Sequence, residues 1–181
     1  FTFSVWINTT QGYGFGNEPA YYGAGIIYAD QPGHAADTIP LAITGAQAAF
    51  MTDHGSQDVT IHSAGAINTG NWLHVASTYD YATGQMRLYV NGVLQASATV
   101  PPSPHNARNL LFLGANDFDF AYYSGRVDEF QLYTEALDAS AITFLAQNPG
   151  LTVVPEPSTG ILLTLGASLL VWSRLRWNAR R

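Results

Sequence analysis

The sequence predicts an all-β protein, a two-sheet antiparallel jelly-roll sandwich, with a hydrophobic helix at its C-terminus. Three observations lead there. From Phe1 to about Leu137, short runs rich in Val, Ile, Thr, Tyr and Phe are broken repeatedly by Gly, Asn, Asp and Pro, as strands and turns would be. Two closely spaced turn signals, Asp80-Tyr81-Ala82-Thr83-Gly84 and Asn91-Gly92, join three of these runs into a meander. Beyond Pro155-Glu156-Pro157 the composition changes abruptly to an apolar run followed by arginines.

In chain order, Phe3, Val5 and Ile7 alternate with Thr2, Ser4 and Trp6, which suits a strand with one face in a core. Weaker runs follow at Ala24–Tyr28, Ala48–Thr52 and Val59–Ser63. The clearest stretch is Trp72 to Val100, where Leu73, Val75, Ser77 and Tyr79 share one face before the first turn. The strand Gln85–Val90 then meets Asn91-Gly92, whose residues tolerate the positive φ of a type I′ hairpin. Pro101-Pro102-Ser103-Pro104 reads as an extended surface link, since proline cannot donate to a ladder. Asn109–Gly114 and Gly125–Tyr133 read as two further strands. Asp138 is placed to N-cap one short helix that turns Ile142 and Leu145 inward and ends at Asn148-Pro149-Gly150. Eight or more strands with one brief helix point to a sandwich or jelly roll.

The chain has 181 residues, 47% hydrophobic and 11% charged, which fits one packed domain plus an appendage. Its formal charge of −6 is unevenly spread. Residues 1–157 hold all thirteen carboxylates against Arg87, Arg108 and Arg126, a net of −10, and such a surface repels phosphate backbones, so no nucleic acid is expected as a partner. Cysteine is absent, which removes disulfides, zinc-thiolate sites and thiol catalysis. The chain opens at Phe1, already in a strand pattern, and is expected to be a fragment or a processed chain.

Three segments in order carry a family resemblance: Asn71-Trp72-Leu73-His74-Val75-Ala76, Met86-Arg87-Leu88-Tyr89-Val90-Asn91-Gly92, and Gly125-Arg126-Val127-Asp128-Glu129-Phe130-Gln131-Leu132-Tyr133 followed by Ala136-Leu137. Together they resemble the laminin-G-like, concanavalin A-like lectin/glucanase superfamily over roughly residues 1–146. The resemblance implies a jelly-roll sandwich used mostly for binding or adhesion. It matches Phe1–Asn8 to the family's second or third strand, so the usual opening strand is expected to be missing from a domain spanning 1–148.

The last 28 residues resemble a second pattern, the PEP-CTERM sorting signal of Gram-negative bacteria, through Val154-Pro155-Glu156-Pro157-Ser158-Thr159, an apolar run from Gly160 to Trp172, and Arg174, Arg176, Arg180 and Arg181. The expected organisation is a Pro-rich linker at 149–157 and a signal at 154–181, with an apolar helix at about 159–173 and a basic tail at 174–181. Thirteen apolar residues reach roughly 20 Å as a helix against a hydrocarbon core of roughly 30 Å. Extending the helix from Ser158 to Leu175, with Arg174 snorkelling and Trp172 and Trp177 at the interface, narrows that gap. Basic flanks belong on the cytoplasmic side, so the acidic domain is expected outside. The resemblance implies an exosortase-type processing enzyme as partner, and a precursor held in the membrane before release to the envelope, surface or matrix.

Residues suited to chemistry are few. In a regular strand Asp128 and Glu129 point to opposite faces and cannot act as a close acid/base pair. The resemblance implies for Asp128 either a calcium ligand or a carboxylate bonded to backbone. Asn116, Asp117 and Asp119 put oxygen atoms at short spacing in a loop, either for calcium or simply for solvent, though the glycine and final glutamate of an EF-hand are missing. Asp53 and Asp58 are a weaker pair of the same kind. Histidines at 34, 54, 62, 74 and 105 lack zinc-protease spacing, and His74 reads as a packed residue. There is no Gly-x-Ser-x-Gly elbow, phosphate loop or dinucleotide fingerprint. The Glu-x-Asp-x-x-Glu strand of the family's glucanases is absent as well.

Aromatic residues cluster twice, as Tyr13, Phe15, Tyr21 and Tyr22 in a Gly-rich segment and as Phe118, Phe120, Tyr122 and Tyr123 later. Rings beside carboxylates and amides suit a sugar-binding surface, because ring faces stack on C–H groups while polar groups fix hydroxyls. Tyr21, Tyr22, Phe118, Tyr122 and Tyr123 are the candidate ligand contacts; core packing is the alternative for each. The expectation is therefore a non-catalytic exported module that binds a glycan or a surface protein. The alternatives are a structural matrix component or a degenerate glycoside hydrolase.

Overall fold

Ten strands and one α-helix are seen in the computed structural model, which describes residues 1–29, 38–53, 58–101, 111–115 and 121–153. The strands are β1 (Thr2–Asn8), β2 (Ala24–Tyr28), β3 (Thr38–Thr44), β4 (Gln47–Asp53), β5 (Asp58–Ala66), β6 (Leu73–Asp80), β7 (Gln85–Val90), β8 (Val93–Thr99), β9 (Phe112–Leu113) and β10 (Arg126–Tyr133). They form two antiparallel five-stranded sheets, ordered β10-β1-β6-β7-β8 and β5-β4-β3-β2-β9. Residues Phe1–Leu151 make one compact unit. The apolar helix expected at 159–173 lies outside the described residues, and the one α-helix among them is α1 (Ala139–Gln147).

The core between the sheets follows the period-two pattern. Val5, Ile7 and Val75 from the first sheet meet Ile26, Ile43 and Phe50 from the second, all fully buried. The two turns of the meander form as expected: Asn91 and Gly92 have φ of 50° and 78°, and Asp80 accepts from the Ala82 N–H (3.0 Å) and the Thr83 hydroxyl (2.7 Å).

Strand β3 is absent from the sequence-based expectation. It is central in its sheet and buried at every position, so its residues do not alternate, and Pro40 argues against a central strand. Proline is accommodated because the register against β4 shifts between Ile39 and Ala42, where an N–H is not required. A smaller cluster of Tyr28, Ile39, Ala42, Ala49 and Met51 lies on the other side of this sheet, closed over by Ala20 and Tyr21 of a 3-10 turn (Ala20–Tyr22).

Helix α1 starts where Asp138 accepts from the Ala141 N–H (2.8 Å) and buries Ile142 and Leu145. With the segment after it, it covers the outer side of the first sheet, so β6 is buried on both faces. Some polar outer-face groups there are paired inside the protein, whereas Thr78 Oγ1 and His74 Nδ1 have no hydrogen-bond partner among the described residues. Thr2 donates to the Glu135 carbonyl and accepts from the Leu137 N–H, both at 2.8 Å, and Ser4 Oγ meets His74 Nε2 at 2.8 Å. Burial pushes the His74 imidazole down to about 4, and Trp6 packs edge-on against it.

Two outcomes follow from this packing. A methyl group on Gly92 would sit 3.0 Å from Thr143 Cα at a positive φ, so Gly92→Ala should lower unfolding stability in urea by about 1–3 kcal/mol. His74 is neutral when folded but binds a proton near pH 6.5 when unfolded, so its contribution is complete above 6.5 and is lost as pH falls towards 4. The loss over that window should be about 3 kcal/mol, and His74→Gln should flatten that part of the stability profile.

Candidate functional site

Loops that join the sheets gather at one end of the sandwich, and a single segment, Thr9–Pro19, holds them together. The Thr9 carbonyl accepts from the Gly70 N–H (2.8 Å), and Asn8 Nδ2 donates to the Gly70 carbonyl (2.8 Å). Gln11 clamps the later loop from both directions, donating to the Tyr122 carbonyl (2.9 Å) and accepting from the Ser124 N–H (2.7 Å). Tyr13 and Gly45 exchange backbone hydrogen bonds as an isolated bridge, which fixes the segment to the β3–β4 turn. The approach there is close: a methyl on Gly45 would lie 2.8 Å from Gly16 Cα.

This frame separates the aromatic residues that the sequence grouped together. Tyr13 packs against the core, whereas Phe15 stands at the tip of its loop with its side chain 99% exposed. Tyr21 and Tyr22 sit on the 3-10 turn with ring centroids 4.4 Å apart, Tyr21 against the smaller apolar cluster and Tyr22 open to solvent. Burial, with the neighbouring Tyr22, raises the Tyr21 hydroxyl above its ordinary value. Tyr122 is 62% exposed on the clamped loop. Tyr123 next to it packs against the core and donates its hydroxyl to the carbonyls of Arg126 (3.1 Å) and Asn8 (3.3 Å). Burial raises its hydroxyl too. Trp72, which entered the sequence analysis only as part of a motif, adds an exposed ring on the loop leading into β6.

Among the proposed calcium ligands only Asp128 belongs to the described residues. Asn116, Asp117 and Asp119, with Phe118, lie outside them, as do Pro155, Glu156, Pro157, Arg174, Arg176, Arg180 and Arg181. Asp128 is on β10 opposite Trp6, and its Oδ1 accepts from the Glu129 N–H (2.9 Å). The expected alternation of Asp128 and Glu129 fails. Glu129 has φ 52° at a bulge between the Ser4 and Trp6 pairings, and it lines one depression with Ser4, Trp6 and His74, on the side of the sheet that Trp6 occupies. Asp53 and Asp58 are register partners at the β4–β5 connection. Among the described residues no three His, Asp or Glu side chains gather as a metal-binding group. Nor is any helix among them long and apolar enough to cross a membrane.

The arrangement described so far has known counterparts. No curated protein sequence matches the chain. Among solved structures, domain 4 of AbnA, an extracellular arabinanase of Geobacillus stearothermophilus in complex with arabinotriose, is 26% identical with a TM-score of 0.56, covering 81% of this chain and 66% of that one. An SAP-like pentraxin of Limulus polyphemus is 18% identical with a TM-score of 0.60, covering 80% and 68%. The IT-sialidase CBM40 of Ruminococcus gnavus is 16% identical with a TM-score of 0.62, covering 80% and 81%. This chain thus spans about two thirds of the first two. The last two likenesses are of fold alone. The model of the family described as the concanavalin A-like lectin/glucanases superfamily, Laminin_G_3, matches residues 1–143, and with ten strands in two antiparallel sheets the chain belongs to that superfamily.

Proposed function

We propose that this chain is a non-catalytic carbohydrate-binding module of the cell envelope, surface or extracellular matrix, delivered there by its C-terminal sequence. The observation that carries the reading is the loop end of the sandwich, where exposed rings stand among amides and carboxylates on a clamped backbone. The 26% identity to an arabinanase domain in complex with arabinotriose supports it. Tyr122, Tyr21 and Tyr22 are the proposed contacts, with Phe118 near Tyr122 in the sequence; Tyr123, whose ring packs against the core, is not among them. Asp128, Asn116, Asp117 and Asp119 are the proposed calcium ligands.

The domain is proposed to occupy 1–148 and the linker 149–157. The sorting signal, at 154–181, uses Pro155-Glu156-Pro157 and the four terminal arginines for recognition by an exosortase-type enzyme. Before processing, the apolar helix holds the precursor in the cytoplasmic membrane with the domain outside.

On an array of glycans the full chain should bind a defined subset, and Tyr122→Ala should weaken that binding by about fivefold or more, as loss of about 1 kcal/mol would. Chelation should lower both binding and melting temperature if calcium is held, because a ion that binds only the folded state stabilises it. Folded protein that binds no glycan, with or without calcium, would sink the reading in favour of a structural matrix component.

Sorting is checked by the mass of envelope-located protein from a host with an exosortase. The mature form should end near Pro155-Glu156-Pro157; an intact tail on mature protein contradicts that part.

A further inference from the structure

We propose that Phe15 is the stacking platform for a saccharide at the loop end of the sandwich. The inference rests on the carbohydrate-binding reading above and adds to it a residue. Burying a phenylalanine side chain stabilises a fold by about 2 kcal/mol, yet this residue is 99% exposed. Slack in the chain does not explain the exposure. The loop is tied by the Tyr13–Gly45 bridge, Gly16 rests against Gly45, and the Phe15 N–H donates to Glu18 Oε1 at 3.2 Å. Gly14 and Gly16 adopt the positive φ that glycine allows freely, and Asn17 beside them has φ 55°, an uncommon conformation for a residue with a side chain.

Polar groups line the loop that carries the ring. The Glu18 carboxylate folds over Gly14, Gln47 Oε1 approaches Gly16, and the Asn68 amide approaches Gly12. These are hydrogen-bonding groups of the kind that orient sugar hydroxyls while a ring face stacks on C–H groups.

The test is affinity electrophoresis of the full chain through gels containing arabinan, xylan or galactomannan, with polygalacturonate as the acidic polymer, comparing the native chain with Phe15→Ala and Phe15→Trp. At least one of these polymers should retard the native chain. Phe15→Ala should weaken that binding about tenfold, Phe15→Trp should retain it, and all three proteins should melt at the same temperature. A native chain that binds while Phe15→Ala binds equally well would overturn the platform and leave the carbohydrate reading intact. Binding to phosphatidylcholine vesicles that falls with Phe15→Ala, while polysaccharide binding does not, would make the ring a membrane contact instead. A lower melting temperature for Phe15→Ala would mean that the ring packs within the protein and would also overturn the proposal. No polysaccharide binding by the native chain removes this inference together with the reading beneath it.

Discussion

The fold depends on the burial of β1 and β6 from both sides. On one side Val5, Ile7 and Val75 meet the second sheet; on the other Thr2, Ser4, His74, Ala76 and Thr78 lie out of water on the side that α1 covers. Two-sided burial makes every polar atom on the outer face a matter of partners, since a buried group without one costs free energy. Thr2 therefore reaches the Glu135–Leu137 corner, and Ser4 reaches His74. Close packing by α1 explains why Gly92 cannot easily carry a side chain: a Cβ there would lie 3.0 Å from Thr143 Cα.

Much of this was legible in the residues because local chemistry decides it. Asn91-Gly92 has few alternatives to a tight hairpin turn, Gln85–Leu88 alternates cleanly, and Asp138 is placed to cap the run that follows it. Strand β3 was not legible. Thr38–Thr44 shows no alternation because both faces are covered, and Pro40 is tolerated only through a register shift that depends on β4. The bulge at Glu129 is hidden for a similar reason: it is set by how β10 meets β1, a long-range pairing with no local signal.

The loop end was legible in kind but not in arrangement. Aromatic composition marked the region, yet adjacent rings went to different places because backbone anchoring, not ring chemistry, decides which are exposed. Tyr123 is spent on the carbonyls of Asn8 and Arg126, while Tyr122 is displayed. Gln11, whose amide grips both ends of Tyr122–Ser124, carries no signal in the sequence that separates it from any other glutamine in a loop.

The clamped Thr9–Pro19 segment has a consequence for how this surface can diversify. Its shape is set by glycines, by the Tyr13–Gly45 bridge and by the Gln11 amide, none of which involves the side chain at position 15. That one position can therefore vary through descent without disturbing the scaffold, and because the tip is already ordered, a newcomer side chain would be presented with little entropy left to lose. Folding and recognition are in this way assigned to different residues of the same short loop, which leaves each free to change at its own rate.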